Sequence, residues 1–191
     1  MLIRVGEAAD IKGILVLQEK NLYTNLSESE RTNGFVTTPF TKTLIHDLLL
    51  QTGVFVVEDN TEVFGYAFAG TWEFFSQWAI FPFMVSRFTQ LQYKGKQITV
   101  QNSFQYGPVC LDLSLRGSGV LSQLFETVRC HFASCFPMGV TFINRLNLRS
   151  LAAHTRKLDL DIIDEFEFEG RGYYSLAFET IPSGLVQRDA F

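Results

Sequence analysis

Cys110-Leu111-Asp112-Leu113-Ser114-Leu115-Arg116-Gly117-Ser118-Gly119-Val120-Leu121 reads as the end of a buried strand, a tight turn with two glycines, and the first turn of an amphipathic helix. A helix that opens on small residues exposes unpaired backbone N–H groups and the positive end of its dipole, about half an elementary charge. Such a terminus binds anions, phosphate above all. Arg116 at its lip adds a guanidinium. The segment therefore predicts a phosphate-bearing ligand.

The flanks extend this into a fold. Tyr106 to Leu113 is apolar enough for a strand covered on both faces. Val120, Leu121, Leu124, Phe125, Val128 and Phe132 recur at helical spacing, predicting a helix over Ser118 to Cys135. Met138 to Ile143 is a second buried strand, which completes a βαβ unit. Upstream come a strand (Leu2 to Val5), a helix (Ala8 to Leu22), and a polar stretch from Asn21 to Thr38 that suits a loop or short helix. A helix over Thr41 to Leu50 follows, then a hairpin of Gly53 to Val57 with Val63 to Ala69 around Asp59-Asn60-Thr61. Downstream lie a helix (Leu148 to Leu158) and a closing hairpin, Leu160 to Phe168 with Gly172 to Phe178. The order β-α-α-β-β-insert-β-α-β-α-β-β predicts a mixed α/β domain over residues 1–180 and a loosely held tail at 181–191. The insert, about 72–103, crowds Trp72, Phe74, Phe75, Trp78, Phe81, Phe83 and Phe88 together. It reads as an extra helix capping the core, or as a substrate pocket or homodimer surface, where aromatics are enriched.

Bulk properties narrow the classes. With 47% hydrophobic and 19% charged residues among 191, the chain is globular rather than disordered. A net charge of −4 argues against nucleic acid or an anionic membrane as main partner. Cys110, Cys130 and Cys135 form an odd set without C-x-x-C spacing, so buried free thiols, a reducing compartment and no metal site are expected. The first residues show no charged leader followed by a long apolar core. The most apolar window, Trp72 to Val85, is broken by Glu73, Ser76, Gln77 and Pro82 and is too short for a membrane helix. A cytoplasmic protein is the expectation.

Residue types separate the glycine-rich phosphate sites. A nucleoside-triphosphate loop needs Gly-Lys-Ser/Thr, and the chain has none. A dinucleotide fingerprint needs a third glycine where Ser122 stands, and an early βαβ unit. The acyl-CoA turn R-x-x-G-x-[GA] is met at Arg116 and Gly119 and departs at Leu121. Asn147-Leu148-Arg149-Ser150 with Lys157-Leu158-Asp159-Leu160, then the terminal hairpin from Asp164 to Tyr174, add two further markers. Together these resemble the GCN5-related N-acetyltransferase (GNAT) superfamily over roughly residues 1–179. Leu121 replaces a small residue of that pattern, and Asp159-Leu160 replaces its Gly-Phe, removing a glycine helix stop.

The resemblance implies a mostly antiparallel central sheet, flanking helices and a splayed parallel strand pair. It also implies acetyl transfer from acetyl-CoA, as co-substrate, to a primary amine of a small molecule or peptide, in a ternary complex. Main-chain groups of Leu111 and Leu113 would hold the pantetheine arm. N–H groups of Arg116, Gly117, Ser118, Gly119, Val120 and Leu121 would hold the pyrophosphate, with Asn147 and Ser150 on the cofactor side. Asn147 also suits a helix N-cap. An acid near the thiolate would be His154, which stands at the family's tyrosine position, or a phenol such as Tyr173 or Tyr174. Glu73 is the candidate base. The alternative is a non-catalytic CoA-binding or regulatory domain; a third reading makes 72–103 an interaction module.

Overall fold

The computed structural model describes residues 1–181. In chain order the elements are β1 (Leu2–Val5), α1 (Ile11–Asn21), α2 (Glu28–Arg31), α3 (Lys42–Leu50), β2 (Val54–Asp59), β3 (Glu62–Gly70), α4 (Trp72–Phe75), α5 (Ile80–Arg87), β4 (Gln92–Tyr93), β5 (Lys96–Gln97), β6 (Ser103–Leu111), α6 (Val120–Phe132), β7 (Met138–Asn144), α7 (Leu148–Arg156), β8 (Asp161–Phe168) and β9 (Arg171–Glu179). Seven strands form one sheet in the order β1-β2-β3-β6-β7-β9-β8. Every neighbouring pair is antiparallel except β6 and β7. The expected tail falls, apart from Ile181, outside the described residues. None of the described helices is long and apolar enough to cross a membrane.

The period-two alternation of β2 and β3 sends Val54, Val56, Tyr66 and Phe68 to one face and Phe55, Val57, Ala67 and Ala69 to the other, all buried. On the first face lie α1, α3 and the aromatic insert; on the second, α6 fits Val120, Leu124, Val128 and Phe132 against the sheet. The insert spends its aromatics on this chain's own core. Trp72, Phe75, Phe81, Met84 and Phe88 are buried, and the Trp72 indole donates to the Ser103 carbonyl and hydroxyl. A bidentate ion pair from Arg87 to Asp164 (2.6 and 2.9 Å) fastens α5 to β8.

What shapes the centre is the short life of the parallel pair. β6 and β7 are in register only over Ser103–Gln105 with Met138–Val140. Beyond that, Gly107 takes φ +105, open to glycine at no steric cost, and Pro108 has no N–H to give a ladder. The two residues form a bulge opposite β3, whose register slips between Ala67 and Ala69. From there the strands diverge and leave a gap in the middle of the sheet.

Three expectations need correcting. β6 ends at Leu111 rather than Leu113: Asp112 accepts from the Ser114 N–H (2.9 Å) and hydroxyl (2.7 Å), turning Leu113–Leu115 into a single 3₁₀ turn. Cys130 and Cys135 are exposed, and of the three thiols Cys110 alone is buried. And α7 ends at Arg156, not Leu158: Asp159 adopts φ +57 and takes the left-handed position that glycine commonly fills, while the Leu160 N–H returns to the His154 carbonyl (3.0 Å).

Candidate functional site

The turn after β6 leads into α6 with backbone N–H groups left without partners among the described residues. Gly117 and Gly119 sit at φ +78 and +82 with open space where a side chain would be, so left-handed geometry, not crowding, requires glycine at both. The N–H groups of Arg116 and Ser118 are used within the turn, on the Leu113 and Leu115 carbonyls. Those of Gly117, Gly119 and Leu121 make no hydrogen bond among the described residues. The same three residues line a groove of about 410 Å³ between the turn, β6 and α7. Ser118 and Val120, expected beside them, do not line the groove: the Ser118 hydroxyl donates to the Leu115 carbonyl (2.6 Å) and accepts from the Val120 N–H (3.4 Å), and the Val120 side chain is in the core.

Cations converge on this groove. Arg116, Arg149, Arg156 and Lys157 line it, no aspartate or glutamate does, and none of the four pairs with a carboxylate among the described residues. Burial, with the nearby Arg149 guanidinium, pushes the Arg116 proton affinity down, against an opposing pull from Asp112. Like charges held this close are relieved by a bound anion. Arg116 meanwhile spans to α2's end, donating to the Asn33 side-chain and main-chain oxygens (2.9 and 2.8 Å). Arg149, Arg156, Lys157 and Asn33 were not anticipated from sequence; the i, i+7 spacing of Arg149 and Arg156 on α7 was the available signal.

The inner end of the groove runs into the gap between β6 and β7, where a second cavity of about 70 Å³ shares Phe35, Val109, Asn147, Ser150 and His154 with the first. Asn147 joins three parts there. Its Oδ1 caps α7 by accepting from the Ser150 N–H (3.2 Å), and its Nδ2 donates to the Phe35 carbonyl (3.0 Å) in the loop before α3.

His154 is 6% exposed, and its Nδ1 lies 2.8 Å from the Ser150 carbonyl, which can only accept. Nδ1 therefore carries the hydrogen and Nε2 presents its lone pair. Burial holds the imidazole's proton affinity below its ordinary value, partly offset by the Ser150 carbonyl.

Of the other anticipated residues, Leu111 lines the groove and Leu113 is exposed in the 3₁₀ turn, lining neither cavity. Glu73 is exposed on the first turn of α4 and Tyr173 is buried against Phe142 and stacked on Phe166; neither reaches the cavities.

Mixed strand order, a glycine turn leading into a helix, and a parallel pair that parts at a bulge over a cationic groove form one architecture. Solved structures share the overall fold across nearly the whole chain. An N-acetyltransferase from Staphylococcus aureus superposes with a TM-score of 0.60 at 18% identity, covering 94% of this chain and 98% of that one. This is the GNAT fold. YncA of Salmonella typhimurium, solved with its cofactor acetyl-CoA, matches at TM-score 0.61 and 16% identity over 99% and 96% of the two chains. A GNAT-superfamily phosphinothricin acetyltransferase from Sinorhizobium meliloti, in complex with acetyl-CoA, gives 0.59 and 15% over 93% and 87%. No protein-family model and no curated protein matches the sequence. The GNAT fold is thus reached here by a sequence far from those proteins.

Proposed function

We propose that the chain transfers an acetyl group from acetyl-CoA to a primary amine by direct attack, with residues 1–180 acting as one domain and 72–103 as an insertion within it. The observation that carries this is the convergence, on a groove that ends at the parted strands, of three N–H groups without a hydrogen bond and four cations without a carboxylate partner among the described residues. A ligand with several phosphates at one end and a long uncharged arm at the other fits that charge distribution. Gly117, Gly119 and Leu121 would hold the pyrophosphate, Arg116 and the α7 cations would neutralise phosphate charge, and the free edge of β6 near Leu111 would pair with the amide groups of the arm. Phosphinothricin acetyltransferase and YncA, both solved with acetyl-CoA, support the choice of donor.

In the reaction the amine nitrogen attacks the thioester carbonyl carbon and the C–S bond breaks. The amine proton passes to His154 Nε2 and then to the departing sulfur, giving amide and free thiol. The lone pair on Nε2 suits this acceptor role first and the acid role second; Glu73 and Tyr173 have no part in it. Thiol release with a mixed amine panel tests the proposal. His154→Ala is expected to slow turnover by about 10²- to 10⁴-fold while acetyl-CoA affinity stays within a few fold. A parent that binds acetyl-CoA and releases no thiol with any amine supports the non-catalytic reading instead.

A further inference from the structure

The inner cavity contains a polar group that the reaction above leaves unused. Gln105 is 1% exposed and lines this cavity from the β6 wall. Its Nε2 donates to the Tyr106 carbonyl (2.9 Å), which fixes the orientation of the amide, since a flip would set two oxygens against each other. The other end, Oε1, is buried and has no hydrogen-bond partner among the described residues. Orphaned buried acceptors are rare because each costs free energy, so a ligand donor is the expected complement. His154, whose Nε2 carries the free lone pair, lines the same small cavity.

An uncharged primary amine has two N–H bonds and one lone pair. Two acceptors take both hydrogens and leave the lone pair free to attack; an ammonium has three hydrogens and no lone pair. Resting on the acetyl-transfer reading, we infer that Gln105 Oε1 and His154 Nε2 receive the two N–H bonds of the acceptor, and that the substrate class is the weakly basic primary amine, an aromatic amine or a peptide α-amine, rather than an alkylammonium. The charges around His154 point the same way. Ser150 on its own helix and Tyr106 on β6 are uncharged neighbours, Cys110 is held protonated with its value pushed up to about 12, and the charged groups facing the two cavities are Arg116, Arg149, Arg156 and Lys157. No carboxylate lines either cavity among the described residues to attract or deprotonate an ammonium. At pH 7 about one α-amine in ten is uncharged, against roughly one lysine side chain in 2,500.

The test is kcat/KM, by thiol release, for an aromatic amine, a lysine-free peptide with a free N-terminus, and an Nα-blocked lysine, from pH 6.5 to 9, alongside calorimetric acetyl-CoA binding. The parent is expected to favour either of the first two over blocked lysine by at least about 100-fold at pH 7, with the gap narrowing as pH rises. The better of the two names the source of the amine. Gln105→Leu should lower kcat/KM by about tenfold or more with acetyl-CoA affinity kept, and Gln105→Glu should move preference toward blocked lysine. Acetyl-CoA binding and turnover with blocked lysine preferred at pH 7, or with Gln105→Leu equal to the parent, overturns this inference alone. No acetyl-CoA binding overturns the transferase reading and this one with it. The parent's amine preference decides the matter even where a variant does not fold.

Discussion

Asp159 carries a role that glycine more often fills, and its φ of +57 sets a stability experiment. Aspartate tolerates the left-handed region better than most side chains, and a β-branched residue does not. Asp159→Val is expected to cost about 1–2 kcal/mol and Asp159→Gly to be neutral or stabilising by up to about 1 kcal/mol, read from urea unfolding. His154 gives the second residue-scale prediction. Burial sets its folded proton affinity below the ordinary 6.5, so between those two values the unfolded chain binds the extra proton. Stability therefore falls as pH drops below about 6.5 and is unaffected by this group above it. His154→Gln should flatten that slope when unfolding free energy is compared at pH 7 and pH 5. The glycine turn was legible in sequence because Gly-Ser-Gly before an amphipathic run has few other uses. Gln105 was not, since one glutamine in an apolar strand shows no pattern until its oxygen is found without a partner.

Among the elements, the wall of the inner cavity depends on a buried side chain of α1. Gln18 donates to the Phe40 carbonyl (2.9 Å) and accepts from the Phe40 N–H (2.8 Å), pinning the end of the loop that supplies Phe35, Val36, Thr37 and Thr38 to the cavity. Gln18→Leu leaves two buried backbone groups unpaired and should destabilise the chain by about 2–6 kcal/mol, at roughly 1–3 kcal/mol per group. Its melting temperature measures this. Sequence left that loop undetermined because its order comes from contacts with Gln18 and Asn147, residues distant along the chain. The end of β6 misled for a different reason. Leu111, Leu113 and Leu115 alternate like a strand, and the switch into a 3₁₀ turn comes from Asp112 capturing the Ser114 N–H. Element types followed hydrophobic period; their ends followed side-chain hydrogen bonds.

For the molecule as a whole, a sheet covered on both faces holds the diverging strands open, so the central groove is part of the fold and not an accident of loops. The chain carries a net charge of −4, yet the groove walls carry four cations and no carboxylate among the described residues. On the acetyl-transfer proposal, that asymmetry marks the donor site at this scale, while a few atoms at the inner cavity would select the acceptor. Titration of acetyl-CoA into the parent and into Arg116→Glu by calorimetry shows whether the cationic groove holds the donor. One site per chain is predicted for the parent, with affinity at least tenfold weaker in the variant, about 1.4 kcal/mol or more. A parent that takes up no acetyl-CoA, or a variant that binds it equally well, would mean that the groove is not the donor site.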